Sequence, residues 1–181
     1  MTHYKLHLAF LRAINVGGHT VKMDVLRDLF AQLGYANIRT FIASGNVIFE
    51  SAAPASELEP QIEAHLEAEL GYEVATFIRS PAEVAAVVRY AATIPNYDPE
   101  AGSLYVAFLK TVPTESVWEK VLEKQTAMDS FLCEGREFYW HCRGKSSDSK
   151  FSNVALERLL KQPATMRNIT TVGKLAAQYP A

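Results

Sequence analysis

Ala9-Phe10-Leu11-Arg12, near the start of the chain, is echoed past its middle by Ala107-Phe108-Leu109-Lys110. Each lies in an apolar run, Lys5 to Ala13 and Leu104 to Leu109, that reads as a strand. After the first run, Leu26, Leu29, Phe30 and Leu33 form the i, i+3, i+4, i+7 stripe of an amphipathic helix, and Gly34 suits its C′ position. Ile38 to Ile42 and Val47 to Phe49 read as strands around the turn Ser44-Gly45-Asn46. Ser56-Glu57-Leu58-Glu59 has the spacing of a capping box. It opens a helix with Leu58, Ile62, Leu66 and Leu70 on one face and Gly71 at its end, and Glu73 to Ile78 gives a fourth strand. The order is β-α-β-β-α-β, the split βαβ unit.

Ser80-Pro81-Ala82-Glu83 starts another helix: a cap, a proline at the first helical position, then a glutamate. Its apolar stripe is Val84, Val87, Val88 and Ala91, and Ile94 to Gly102, rich in turn formers, reads as a linker. The pattern then restarts. The second half carries a strand, a helix capped by Thr114, a hairpin (Ser130 to Cys133, Glu137 to Cys142), a helix over Phe151 to Leu160 and a short strand, Ala164 to Arg167. A final helix capped by Thr171 follows. The first half has about eight more residues between its echo motif and its hairpin glycine, placed here in the loop from Ala13 to Lys22. The expected fold is therefore α+β: two ferredoxin-like (βαββαβ, α-β plait) subdomains with extra helices, arisen by internal duplication. The expected boundaries are 1–93, a linker at 94–102, and 103–181.

Composition narrows the function classes. The 181 residues are 49% hydrophobic and 21% charged, enough for a packed core. The net charge of −2 argues against a strongly basic nucleic-acid or membrane-surface binder. No apolar run approaches a membrane span, and the N-terminus lacks the sections of a signal peptide. The hairpin turn at Gly135-Arg136 pairs 133 with 138 and 142 with 129, so Cys133 and Cys142 are not cross-strand partners. Both are expected as reduced thiols, and the protein as cytoplasmic.

Polar residues gather at two places. Strands one and three of a βαββαβ unit are antiparallel neighbours, so the loop with Arg12, Asn15, Gly17 and Gly18 should lie beside Ser44 and Asn46. Gly17-Gly18 opens backbone N–H groups to a ligand, Arg12 supplies a cationic fork, and the side chains of Asn15, Ser44 and Asn46 add orientable hydrogen bonds. In the second half, the loops after strands three and four leave the same end of the sheet. They bring Lys150, Arg167, Asn168 and Thr171 toward two helix starts, an arrangement suited to phosphate or carboxylate. Both sets are candidate ligand-binding residues, and either also fits ordinary loop and capping chemistry. His141-Cys142 with Cys133 is out of register for a metal, and no cofactor or metal is expected. Neither G-x-G-x-x-G nor G-x-x-x-x-G-K-[ST] occurs. His65 reads as solvated among Glu63, Glu67 and Glu69, His7 as a packed core-edge residue, and Ser44 has no His to activate it.

Leu11-Arg12-Ala13-Ile14-Asn15-Val16-Gly17-Gly18, Ser44-Gly45-Asn46-Val47-Ile48-Phe49 and Thr165-Met166-Arg167-Asn168 together resemble a bacterial family catalogued as domain of unknown function 1697. The resemblance runs over nearly the whole chain. It implies two α-β plait subdomains and brings no activity, substrate or cofactor. Its first motif carries glycine where this chain has Ala13. Two functions stay open: a binder of a small anionic ligand, catalytic or not, and a nucleic-acid or protein interaction module without catalysis. Strands apolar on both faces (Leu8 and Phe10 against Ala9 and Leu11; Val47, Ile48 and Phe49) imply sheets covered on both sides. That leaves little open sheet for bases and favours the first. Oligomeric state is left open.

Overall fold

The computed structural model describes residues 4–181, so residues 1–3 of the expected first subdomain lie outside the described residues. Among the described residues are two four-stranded antiparallel sheets and six α-helices, a mixed α+β architecture. The chain divides into two compact units. One runs to Val84 and takes in Tyr179–Ala181; the other is Ala85–Gln178.

The first unit contains β1 (Lys5–Leu11), α1 (Met23–Gln32), β2 (Ala36–Phe41), β3 (Asn46–Ser51), α2 (Ala55–Leu70) and β4 (Thr76–Arg79), with sheet order β2-β3-β1-β4. Alternation along the strands divides two sets of side chains. Ala9, Leu11, Val47, Phe49 and Ile78 pack under the helices against Leu26, Phe30, Leu58, Ile62 and Leu66. Leu8, Phe10, Ile48, Phe77 and Arg79 alternate with them and are buried as well. The expected helix stripes are thus the core, and Gly34 ends α1 with φ +79° and a bond from its N–H to Ala31. The expected cap of α2 differs. Its N-cap is Pro54 without a side-chain bond, and Ser56 lies inside the first turn. Glu59 reaches instead to the Ile78 N–H (2.8 Å), and Glu63 to the Thr76 N–H (2.7 Å). These carboxylates cover the outward donors of β4, an edge strand that would otherwise present unpaired N–H groups.

α3 (Pro81–Ala91) starts as its sequence indicates. The Ser80 N–H and Oγ–H donate to Glu83 Oε2 (2.7 and 3.0 Å), and the Glu83 N–H donates to Ser80 Oγ (3.2 Å), a complete capping box.

The second unit holds β5 (Gly102–Leu109), α4 (Glu115–Leu122), β6 (Asp129–Glu134), β7 (Glu137–Arg143), α5 (Asn153–Leu160), β8 (Ala164–Asn168) and α6 (Ile169–Gln178), with sheet order β6-β7-β5-β8. The hairpin register pairs Cys133 with Phe138 and Cys142 with Asp129, and both thiols are free. Ala107, Leu109, Phe138, Trp140 and Ala164 face a core with Val121, Leu156 and Leu160. On the other face α6 packs over β5 and β8, and Tyr90 of α3 lies 4.8 Å from Tyr139 of β7. Two helix starts differ from expectation. α5 is capped by Ser152, whose Oγ accepts from the Ala155 N–H, so Phe151 lies before the helix. α6 begins directly after β8: Asn168 Oδ1 accepts from the Thr170 N–H (2.8 Å), and Thr171 sits within the helix rather than capping it. The side chain that first meets a free N–H takes the capping role, and Asn168 comes earlier in the chain than Thr171.

Candidate functional site

The first polar group assembles at one end of the first sheet. Phe10 pairs with Asn46, and the Leu11 N–H donates to the Gly45 carbonyl (2.8 Å). Asn15 bridges the two loops: its Nδ2 donates to the Ala43 carbonyl (3.1 Å), and its Oδ1 accepts from the Val21 N–H (2.7 Å). Asn46 Nδ2 donates to Ser44 Oγ (2.8 Å) and to the Phe41 carbonyl (3.1 Å). These amides therefore hold the turn and the loop together. Arg12 is half-buried, and its N–H donates to the Ala75 carbonyl. Gly17 and Gly18 are exposed at φ +65° and +90°, with open space around them. Ala13, Asn15 and Ile42 also have positive φ, a rare conformation for a β-branched residue such as Ile42. Val16 and Ile42 are exposed at 63% and 53%. His19 stacks on Tyr72 at 3.8 Å beside the two glycines.

The second polar group does not assemble as expected. β7 and β8 do end toward the start of β5, as their pairings with Gly102 and Tyr105 show. Lys150, however, lies with Asp129 at the β6 edge, whereas Arg167 and Asn168 are on β8, the opposite edge strand. Faces separate them too. Ala164 and Met166 pack into the helix-side core, so Arg167 points the other way. Arg167 is 9% exposed, and its Nη1 donates to Thr165 Oγ1 (2.8 Å) and to the Met166 carbonyl (2.9 Å). Burial lowers its pKa to about 10, so it keeps its charge at neutral pH. Its counterpart in the first unit is Arg79, which sequence reasoning missed. Arg79 pairs with Leu8 as Arg167 pairs with Val106, is fully buried, and donates from Nη1 to the preceding carbonyl, that of Ile78 (2.9 Å). The repeat itself carried that signal: Arg79 ends β4 as Arg167 nearly ends β8.

Lys150 instead lines a cavity of about 360 Å³ on the helix side of the second sheet. α5 contributes Ala155, Arg158 and Leu159. The segment between α4 and β6 contributes Lys124 and Thr126, the start of β6 contributes Asp129, and Phe151 completes the wall. Asp129, the buried polar residue of the lining, centres a hydrogen-bond knot. Asp129 accepts from the Trp140 indole N–H (2.8 Å), the Ser149 hydroxyl (2.9 Å) and the Thr126 hydroxyl (3.1 Å). The Phe151 N–H donates to Ser149 Oγ (2.9 Å), and the Phe151 ring lies 4.4 Å from Phe131 and 5.3 Å from Trp140. Among the described residues, no side-chain hydrogen bond or ion pair engages Lys124, Lys150 or Arg158, and all three are exposed. Lys124 and Arg158 escaped sequence reading because the packing of α4 against α5 brings them to Lys150. The legible trace is Phe151, Ala155 and Leu159, spaced i, i+4, i+8.

Other chemistry-bearing side chains are inward-facing. His7 is buried beside Phe49, and its Nε2 finds no partner. His65 is half-buried, and its Nε2 is buried without a partner, so that nitrogen does not face solvent as its acidic neighbours implied. Burial, with help from Glu137 and Glu134, pushes the Cys133 thiol up to about 11.

No helix among the described residues is long and apolar enough to cross a membrane. No curated protein matches the chain. Among solved structures, a conserved bacterial protein from Streptococcus pneumoniae is similar, at 22% identity and a TM-score of 0.74. The match covers 98% of this chain and 99% of that one, a likeness of fold alone. The pattern of a family described as "Protein of unknown function (DUF1697)" matches residues 1–139, which include the two loop motifs around Asn15 and Asn46. That span is well over half of the sequence, and the chain belongs to the DUF1697 family.

Proposed function

We propose that this protein binds a small anionic ligand, phosphate- or carboxylate-bearing, in the cavity between α5 and the segment leading into β6. One observation carries the reading: Lys124, Lys150 and Arg158, none with an ion-pair partner among the described residues, line a single cavity. Like charges held close destabilise the unliganded state, and an anion relieves that repulsion while accepting charge-assisted hydrogen bonds. Each such bond contributes about 1.5–3 kcal/mol, so losing one weakens binding about tenfold or more. Calorimetric titration of inorganic phosphate into the wild type, Lys150→Ala and Arg158→Ala tests it. Saturable binding that weakens in both variants is expected. Absent binding, or equal binding by all three, contradicts it.

The loop pair of Arg12, Asn15, Gly17, Gly18, Ser44 and Asn46 supports a second anion site. The specific observation is backbone held at positive φ in Ala13, Asn15 and Ile42, since such strain persists where surrounding structure over-determines it. Arg167, Asn168 and Thr171, proposed as ligands from sequence, fit structural roles better: a buried guanidinium, a cap and a first-turn residue. The covered second face of the β6-β7-β5-β8 sheet supports ligand binding over base stacking on an open sheet.

The same reading takes the two units as duplicated ferredoxin-like subdomains. Matching element order, the Arg79 and Arg167 pair, and carboxylates on both edge strands support it: Glu157 accepts from the Ala164 N–H (2.9 Å) as Glu63 does from Thr76. Two free cysteines support a reducing, cytoplasmic setting.

A further inference from the structure

The geometry points to a ligand class for this cavity: an amphipathic anion, with one carboxylate or phosphate group on an apolar body the size of an aromatic ring. This rests on the anion-binding reading above and narrows it.

The cavity separates two chemistries by depth. Its cations, Lys124, Lys150 and Arg158, on long flexible stems, make up the exposed part of the lining together with Thr126. Its half-buried part is Phe151, Ala155 and Leu159, all apolar. The polar groups around Asp129, the buried polar residue of the lining, are already engaged. The hydroxyls of Thr126 and Ser149 and the indole N–H of Trp140 all donate to Asp129, and the Phe151 N–H donates to Ser149. No donor is left there to greet a sugar hydroxyl or a base edge, and a buried polar group without a partner costs binding free energy. Asp129 also places a negative charge at depth, which repels a polyanion reaching past the rim. A body that enters must therefore be apolar, and the charge must remain at the rim. A volume of about 360 Å³ sits at the small end of ligand sites, on the order of 300–1,000 Å³, and leaves room for a ring with its charged arm. The aromatic cluster behind Phe151 packs that wall, so the ordering that binding requires falls on the cation stems.

The test is a calorimetric comparison of inorganic phosphate, acetate, 3-phenylpropanoate, phenyl phosphate and the neutral 3-phenylpropanol. The expected result is that the two aryl anions bind about tenfold or more tightly than acetate and inorganic phosphate, with the neutral alcohol weaker than its carboxylate. Ala155→Phe, which fills the apolar wall, and Leu159→Ser, which makes it polar, should each erase the aryl preference. Thermal melts of the two variants verify that they are folded, and either folded variant suffices. If inorganic phosphate binds as tightly as the aryl anions, the amphipathic class is wrong and the anion-site reading stands. If no anion binds, both fall. If the aryl preference survives in a folded variant, the apolar body lies elsewhere and the inference is overturned.

Discussion

Ala13, Asn15 and Ile42, all non-glycine, hold positive φ at one end of the first sheet. An L side chain there costs about 1–2 kcal/mol against glycine's freedom. Ala13→Gly at φ +62° should therefore stabilise the protein by about 0.5–1 kcal/mol in urea unfolding, after allowing for a looser unfolded chain. Gly45→Ala should do the opposite. Its φ is +72°, and an added Cβ would lie 2.9 Å from the Ile14 Cβ, so a loss of about 2 kcal/mol or more is expected. Arg167→Ala should destabilise by about 2–4 kcal/mol, since Thr165 Oγ1 and the Met166 carbonyl lose a buried donor. An unchanged urea midpoint would show that the guanidinium is dispensable to the fold. His7 gives a pH signature. Burial holds its pKa below the ordinary 6.5. The unfolded chain thus takes up a proton first as pH falls, and stability is full above pH 6.5 and declines below it. His141, lowered by burial and Arg143, acts in the same direction. Melting temperature from pH 8 to 5 should drop less steeply in His7→Phe than in the wild type.

At the scale of elements, edge strands are covered by carboxylates from the preceding helix. Glu63 and Glu59 cover β4, and Glu157 covers β8. Glu63→Ala and Glu157→Ala should each cost about 1–3 kcal/mol. Each should also raise hydrogen exchange at its own partner amide, Thr76 or Ala164; exchange unchanged at those amides would refute the role. These elements show how far the sequence could be read. Helix stripes such as Leu26, Leu29 and Phe30, the Ser80–Glu83 box and the 133–138 register are local patterns, and local patterns were legible. The Ser56–Glu59 spacing was also local, yet a strand N–H competed successfully for Glu59. Asn15 and Asn46 were legible as neighbours because strand adjacency follows from element order. The grouping of Lys150 with Arg167 was not, because element order gives the end of a sheet but not the face or the far edge. The cavity itself depends on how α4 packs on α5, which no motif encodes.

At the scale of the molecule, each of the two compact units carries the order β-α-β-β-α-β, and the boundary between them falls within α3. Residues 95–101 of the expected linker are largely exposed and carry no regular structure, with Asn96 at φ +57°. Limited proteolysis should cut there first, leaving two fragments visible by mass spectrometry; first cuts within the 12–22 loop would move the weak point to the first unit. The proposed anion site belongs to the second unit, and its most direct test is residue-resolved. In an NMR titration with inorganic phosphate, amide shifts should concentrate in 124–129 and 149–159 and saturate together. Shifts confined to 12–19 and 42–46, or none anywhere, would contradict the assignment of the site to the Lys124, Lys150 and Arg158 cavity.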